Sequence, residues 1–325
     1  MTTSPATFRR RALLAAALAV PLARAQGRFH ARPITLIVPF APGGIADLTA
    51  RAVAEQMARS LGQPVIVDNR PSAGSIVASQ AVAGARPDGH TLLLMSNGNA
   101  VSVGLFRTLP FDPRKDFAPV STLAFFDLGL FVAATSRFRT LADLLAFAKA
   151  NPGKLNVGTI AVGSTQHLAA KLFETVAGVD ALVVPYKGSP AVLTALRGGE
   201  IDLAFEIAGP WVPQVAAGAV RALAVSGEQR NPALPEVPTV QQAGVPGYQV
   251  ASWNALAAPA GTPPAVIEVL NHAAREAVVS PAVRDKLSAL GVRARAGSPA
   301  ELQSLLDREI RRWGDVIHAA RIQPE

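Results

Sequence analysis

Ile34-Thr35-Leu36-Ile37-Val38 runs directly into Pro39-Phe40-Ala41-Pro42-Gly43-Gly44-Ile45-Ala46-Asp47, and the apolar residues Ala50, Val53, Ala54, Met57 and Leu61 then recur at helical spacing. The pattern predicts a strand, a glycine turn and a helix. Two adjacent glycines let backbone N–H groups come close to a ligand, and the first helical turn leaves unpaired donors and a partial positive charge facing the same way. Such a place holds a carboxylate without a basic side chain. A plainer reading of the same residues stays open, in which Gly43-Gly44 only turns the chain and Asp47 only caps the helix.

Strands and helices continue to alternate. A strand at Val65-Ile66-Val67, a loop from Asn69 to Ser75, a helix to about Gly84, a Pro87-Asp88-Gly89 turn and a strand at Thr91-Leu92-Leu93-Leu94-Met95 make a parallel α/β layer. A second set follows: a helix over 140–150, a strand at Leu155-Asn156-Val157, a helix through His167, a strand at Ala181-Leu182-Val183-Val184, a helix opened by Ser189-Pro190 and a strand at Ile201-Asp202-Leu203-Ala204-Phe205. Apolar runs near 120–134 and 249–258 read as connecting strands. Residues 26–122 and 254–325 then form one lobe, 123–253 a second, and the two make a hinged clamp with a cleft at the carboxyl ends of the strands. The late helix starts are well marked, the last by the Ser298-Pro299-Ala300-Glu301 capping box.

The first 25 residues have the layout of a cleaved secretory signal: Arg9-Arg10-Arg11, an apolar run from Ala12 to Leu22, and Ala23-Arg24-Ala25. The apolar run is too short for a bilayer anchor, so the mature chain is expected to begin near Gln26 in the periplasm. A third arginine after the pair leaves the export route, Sec or twin-arginine, open. Four arginines lie in this leader, so of the formal net charge of +8 only +4 belongs to the remainder. No basic block beyond the leader is interleaved with aromatics, which argues against a nucleic-acid partner. The absence of cysteine excludes disulfides, thiol catalysis and cysteine metal sites.

Catalytic motifs are missing. The five histidines (His30, His90, His167, His272, His318) form no metal-binding pair, and no G-x-S-x-G, P-loop or G-x-G-x-x-G occurs. Asp47, Glu206 and His167 could meet across a cleft as acid and base, but each has an ordinary structural reading. A binding protein without metal or cofactor is the expectation, not an enzyme.

Many motifs in one order carry a resemblance over nearly all of the mature chain: Val38-Pro39-Phe40-Ala41-Pro42-Gly43-Gly44 with Asp47, Asn69-Arg70-Pro71, Pro87-Asp88-Gly89, Asn151-Pro152-Gly153, Val184-Pro185-Tyr186-Lys187-Gly188, and Ala258-Pro259-Ala260-Gly261-Thr262-Pro263. In these the chain resembles the Bug family of TctC-like periplasmic solute receptors of tripartite tricarboxylate transporters. The resemblance implies a monomeric two-lobed binding protein, type II-like, each lobe a mostly parallel sheet flanked by helices. It also implies a small carboxylate ligand, membrane transporter subunits as partners, or a sensor kinase if the receptor signals instead.

The first-lobe site implied by the resemblance falls on Phe40, Pro42, Gly43, Gly44, Ile45, Asp47, Ser72, Ala73, Gly74, Ser75, Ser96 and Asn97. The second-lobe site falls on Thr159, Ile160, Ala161, Gly163, Ser164, Thr165, His167, Lys187, Gly188 and Glu206. Ile45, Ile76, Ile160 and Val162 replace smaller or more polar residues of the family, and Glu206 replaces aspartate. Apolar side chains facing a ligand stabilise it only if it offers apolar surface. The replacements therefore predict an aromatic or medium-chain acid, with its carboxylate on N–H groups near Gly43, Gly44 and Gly74.

Overall fold

The computed structural model describes residues 32–160 and 162–324. The expected leader, its cleavage near Ala25 and the start at Gln26 lie outside these residues, as does Ala161.

Strand β1 (Ile34–Val38) is apolar on both faces and buried at four of its five positions, as a strand covered by helices on each side must be. Helix α1 (Ile45–Leu61) buries Ala50, Val53, Ala54, Met57 and Leu61 on one stripe and stops at Gly62, whose left-handed φ of 67° suits glycine. The chain continues through β2 (Val65–Asn69), a 3-10 turn (Ala73–Ser75), α2 (Ile76–Ala83), β3 (Thr91–Ser96) and α3 (Asn97–Leu105). Strand β4 (Phe117–Ala133) leads to α4 (Leu141–Ala150), β5 (Leu155–Ile160), α5 (Thr165–Ala177), β6 (Ala181–Tyr186), α6 (Ser189–Gly198), β7 (Leu203–Ile207), α7 (Ala208–Ala216) and β8 (Val220–Val225). Last come β9 (Ala251–Pro259), α8 (Pro264–Val279), α9 (Pro281–Ser288), β10 (Val292–Ala294) and α10 (Pro299–Ala319).

Two parallel triplets, β2-β1-β3 and β6-β5-β7, sit at opposite ends of the strand order β2-β1-β3-β9-β4-β7-β5-β6. The fold is a two-lobed α/β one with mixed sheets. Of the connecting strands, β9 runs antiparallel to β3 and β4 antiparallel to β7, so the parallel character expected of each lobe is confined to its triplet. Strand β4 belongs to both: as far as Asp127 it pairs with β9, and from Leu128 onward with β7 and β8. The return passes beside it at Val250, whose carbonyl accepts from Ser226 Oγ at 2.6 Å, and the Ser226 Oγ in turn accepts from Leu128 N–H at 2.9 Å.

Three clusters fill the interior. One lies between the first sheet and α1, α8 and α9; another under α6 and α7, where Phe131 stacks on Trp211 at 4.8 Å, a pair worth about 1 kcal/mol beyond its burial. The largest runs through both lobes on the side of α3, α5 and α10, and includes Leu93, Leu105, Leu168, Phe173, Trp253 and Trp313. Among the described residues no helix is long and apolar enough to cross a membrane.

Candidate functional site

At the end of β1 the turn takes a different form from the expected cap. Gly44 is the N-cap of α1 and offers no side chain, while Asp47 is the third helical residue and reaches back. Its Oδ2 accepts from Gly43 N–H at 2.9 Å and from Arg51 Nε at 3.0 Å, and its Oδ1 accepts from Asn69 Nδ2 at 2.9 Å. Asn69 in turn donates to the Phe40 carbonyl and accepts from Arg51 Nη2. Burial alone would raise the Asp47 pKa; the donors Arg51, Gly43 and Asn69, with the Arg51 charge, outweigh it and hold the carboxyl below its ordinary value. Since Asp47 takes the Gly43 N–H, the donors left for a ligand here are those of the first turn of α1. Phe40, Pro42, Gly43 and Gly44 are exposed around them.

The second lobe repeats this device with a neutral group. Ser164 caps α5 through His167 N–H, and His167, third in its helix, reaches back so that Nδ1 accepts from Gly163 N–H at 3.4 Å. Burial, helped by the Lys171 charge, lowers the His167 pKa to about 4, so the ring is neutral at physiological pH and can accept. Gly163 has φ +76°, and a Cβ there would lie 2.2 Å from Leu105 Cδ2, which explains glycine at this spot. Thr159 is buried beside this loop and donates to the Ile160 carbonyl.

Two further loops close the constellation. Gly74 and Ser75 both have left-handed φ (59° and 61°), a conformation that is costly for serine and clusters at functional sites. Ser72 Oγ accepts from Val77 N–H, and Ala73 is exposed. Ser96 caps α3 in a capping box with Asn99, and Asn97 donates to Thr165 Oγ1 at 3.0 Å, which brings the two lobes' loops together. Gly188 is the N-cap of α6 and Lys187 is exposed. Glu206 on β7 is fully buried: Oε2 accepts from Ser189 Oγ at 2.8 Å, from Gln166 Nε2 at 3.3 Å and from Ile207 N–H, and Oε1 has no partner among the described residues. Burial pushes its pKa up more than these bonds lower it.

Asp47, His167 and Glu206 are each bonded to other groups, and none bonds another. Three of the four apolar replacements lean on the interior, Ile45, Ile76 and Ile160 each packing against one of the clusters, and only Val162 is exposed. The inference of an apolar-bodied ligand loses most of its support there. Asn69, Arg51, Gln166 and Ser189 were not among the expected site residues, although the Asn69-Arg70-Pro71 motif pointed to the first of them. A separate cavity of about 830 Å³ lies away from these loops, between Phe125 and Trp253 on the sheet and Arg308 and Arg312 on α10.

The family model described as tripartite tricarboxylate transporter family receptor matches residues 49–322. The chain belongs to this family. It is similar to Protein BugT of Bordetella pertussis, 36% identical over 89% of each chain. Among solved structures it is similar to one of R. palustris with adipate (36% identity, TM-score 0.79, 91% of this chain and 99% of that one) and to MatC from Rhodopseudomonas palustris with bound malate (35%, TM-score 0.75, 88% and 99%). The family is one of solute-binding receptors, so the expectation of a Bug-type binding protein, not an enzyme, holds.

Proposed function

We propose that the chain is a periplasmic solute receptor that captures a small dicarboxylate between its lobes and delivers it to the membrane subunits of a tripartite tricarboxylate-type transporter. The observation that carries this reading is the pair of tied-back helix starts, Gly43 to Asp47 and Gly163 to His167, one from each lobe. Each presents first-turn N–H groups with no positively charged side chain in the turn itself, His167 being neutral, which suits a carboxylate. The malate and adipate of the relatives, both dicarboxylates, support the ligand class. Glu206 suits it as well. Its uncharged form has a proton to donate and no charge to repel a second carboxylate.

In this reading the lobes comprise residues 26–122 with 254–325 and 123–253, and β4 with the chain at 249–258 forms the hinge. The leader delivers the protein to the periplasm and is cleaved near Ala25. A thermal-shift screen of the purified protein tests the ligand class. At about 100 times the dissociation constant a ligand stabilises the native state by roughly 2.7 kcal/mol, a shift of several degrees. Malate or adipate should give it; a response to sugars or amines with none to any carboxylate would overturn the proposal.

A further inference from the structure

Asn97 enters the candidate site by resemblance, yet both ends of its amide are engaged inside the protein. Nδ2 donates to Thr165 Oγ1 at 3.0 Å, and Oδ1 accepts from Trp313 Nε1 at 2.7 Å. Indole N–H can only donate, so the amide oxygen must face Trp313 and the amide nitrogen Thr165; the orientation of Asn97 is set by its neighbours. Thr165, accepting from Asn97, keeps its own hydroxyl proton to donate elsewhere.

The three residues belong to three helices. Asn97 begins α3 of the first lobe, Thr165 begins α5 of the second, and Trp313 lies in α10, which packs against both. Trp313 and Asn97 are 0% and 1% exposed, and Trp313 N–H is shared with Glu309 Oε2 at 2.8 Å, which holds the indole from its own helix. Buried polar groups with such complete bonding favour one arrangement over others, because any shift leaves a donor or acceptor unmatched. Gly163, in the loop just before α5, approaches Leu105 at the opposite end of α3 so closely that a Cβ would not fit between them.

We propose that Trp313 and Asn97 form a cross-lobe clasp that positions the start of α5, and with it the second lobe's half of the binding site, against the first lobe. Asn97 is then a positioning residue. The clasp rests on the reading of the inter-lobe cleft as the binding site, and its test separates the two. The chain has no cysteine, so Val279→Cys on α8 and Lys149→Cys on α4, both exposed, give two unique spin-label sites, one on each lobe.

Distances between the labels are measured by pulsed electron resonance without ligand, and adipate binding by calorimetry. Trp313→Phe keeps one aromatic ring and removes the five-membered ring with its N–H; Thr165→Val keeps the shape and removes only the hydroxyl, so it is the variant that tests the hydrogen bond free of a volume change. Both should broaden and lengthen the ligand-free distance distribution, and Trp313→Phe, which lies outside the cleft, should weaken adipate about tenfold. Thr165→Ser should restore the parent distribution, which a merely volumetric role of Thr165 would not allow. Parent-like distances in Trp313→Phe, or Thr165→Ser behaving like Thr165→Val, would overturn the clasp. If neither adipate nor malate binds even the parent, the ligand class is wrong and the ligand-free distances still decide the clasp.

Discussion

Replacing Asp47 with alanine should destabilise the protein by about 3 kcal/mol, because a buried, charge-assisted acceptor of three donors disappears and leaves Gly43 N–H and Asn69 Nδ2 without it. For a chain of this size that is a fall in melting temperature on the order of 5–10 °C. Binding should fail as well, since the turn that presents the first-turn donors of α1 is tied down by this carboxylate. Asp47→Asn keeps one acceptor but turns a second amide donor toward Arg51 or Asn69, so about half the loss should remain. The pH dependence has a definite sign. The folded pKa lies below the ordinary value of 3.8, so the contribution is fully present above that value and is lost as pH falls through the lower folded one. The gap between parent and Asp47→Ala, followed by urea denaturation from pH 7 to pH 3, should therefore narrow only at the acid end. A variant within 0.5 kcal/mol of the parent at pH 7 would mean that the turn is held by something else.

Glu206→Gln should act in the opposite direction. The folded pKa of Glu206 is raised above its ordinary 4.5, so its stability contribution is fully present below that value and drains away as pH rises through the folded one. Glutamine does not ionise and keeps an acceptor for Ser189 and Gln166. The variant should be the more stable protein at pH 8, by on the order of 1 kcal/mol, and should match the parent below pH 4. Dicarboxylate affinity should lose the part of its pH dependence that the Glu206 titration supplies. Thermal melts across that range check both statements, and a Glu206→Gln protein less stable than the parent at pH 8 would show that the ionised carboxylate has a partner there.

How far residues alone led can be judged at particular places. The β1 strand, the glycine turn and α1 were legible because apolar period, glycine and helix stripe agree within a few residues of one another. The Ser298 to Glu301 capping box was legible for the same reason and forms as read. Asp47 was visible but its role was not: with Gly44 as N-cap the acid falls on the third helical residue, and its partner Asn69 lies 22 residues on. Helix α3 was hidden by Asn97, Gly98, Asn99 and two valines, poor helix formers that are held by the Ser96 cap and by packing on α10. Helix α7 carries Pro210 in its first turn and Pro213 inside, and forms because Trp211 is buried against Phe131. Ile45, Ile76 and Ile160 look like ligand contacts in a loop reading and turn out to lean on the interior, a distinction only tertiary packing makes. Trp313 and Asn97 stand 216 residues apart, beyond any local pattern.

Carboxylate capture between the lobes is tested most directly by a crystal structure of the protein with whichever acid shifts its melting temperature most. The expected result is density between the 39–47 loop and the 159–165 loop, one carboxylate within hydrogen-bonding distance of the first-turn N–H groups of α1 or α5 and the acid enclosed by both lobes. Density confined to the cavity between Trp253 and Arg312, with the loops at Gly44 and Thr165 free of it, would contradict capture in the cleft.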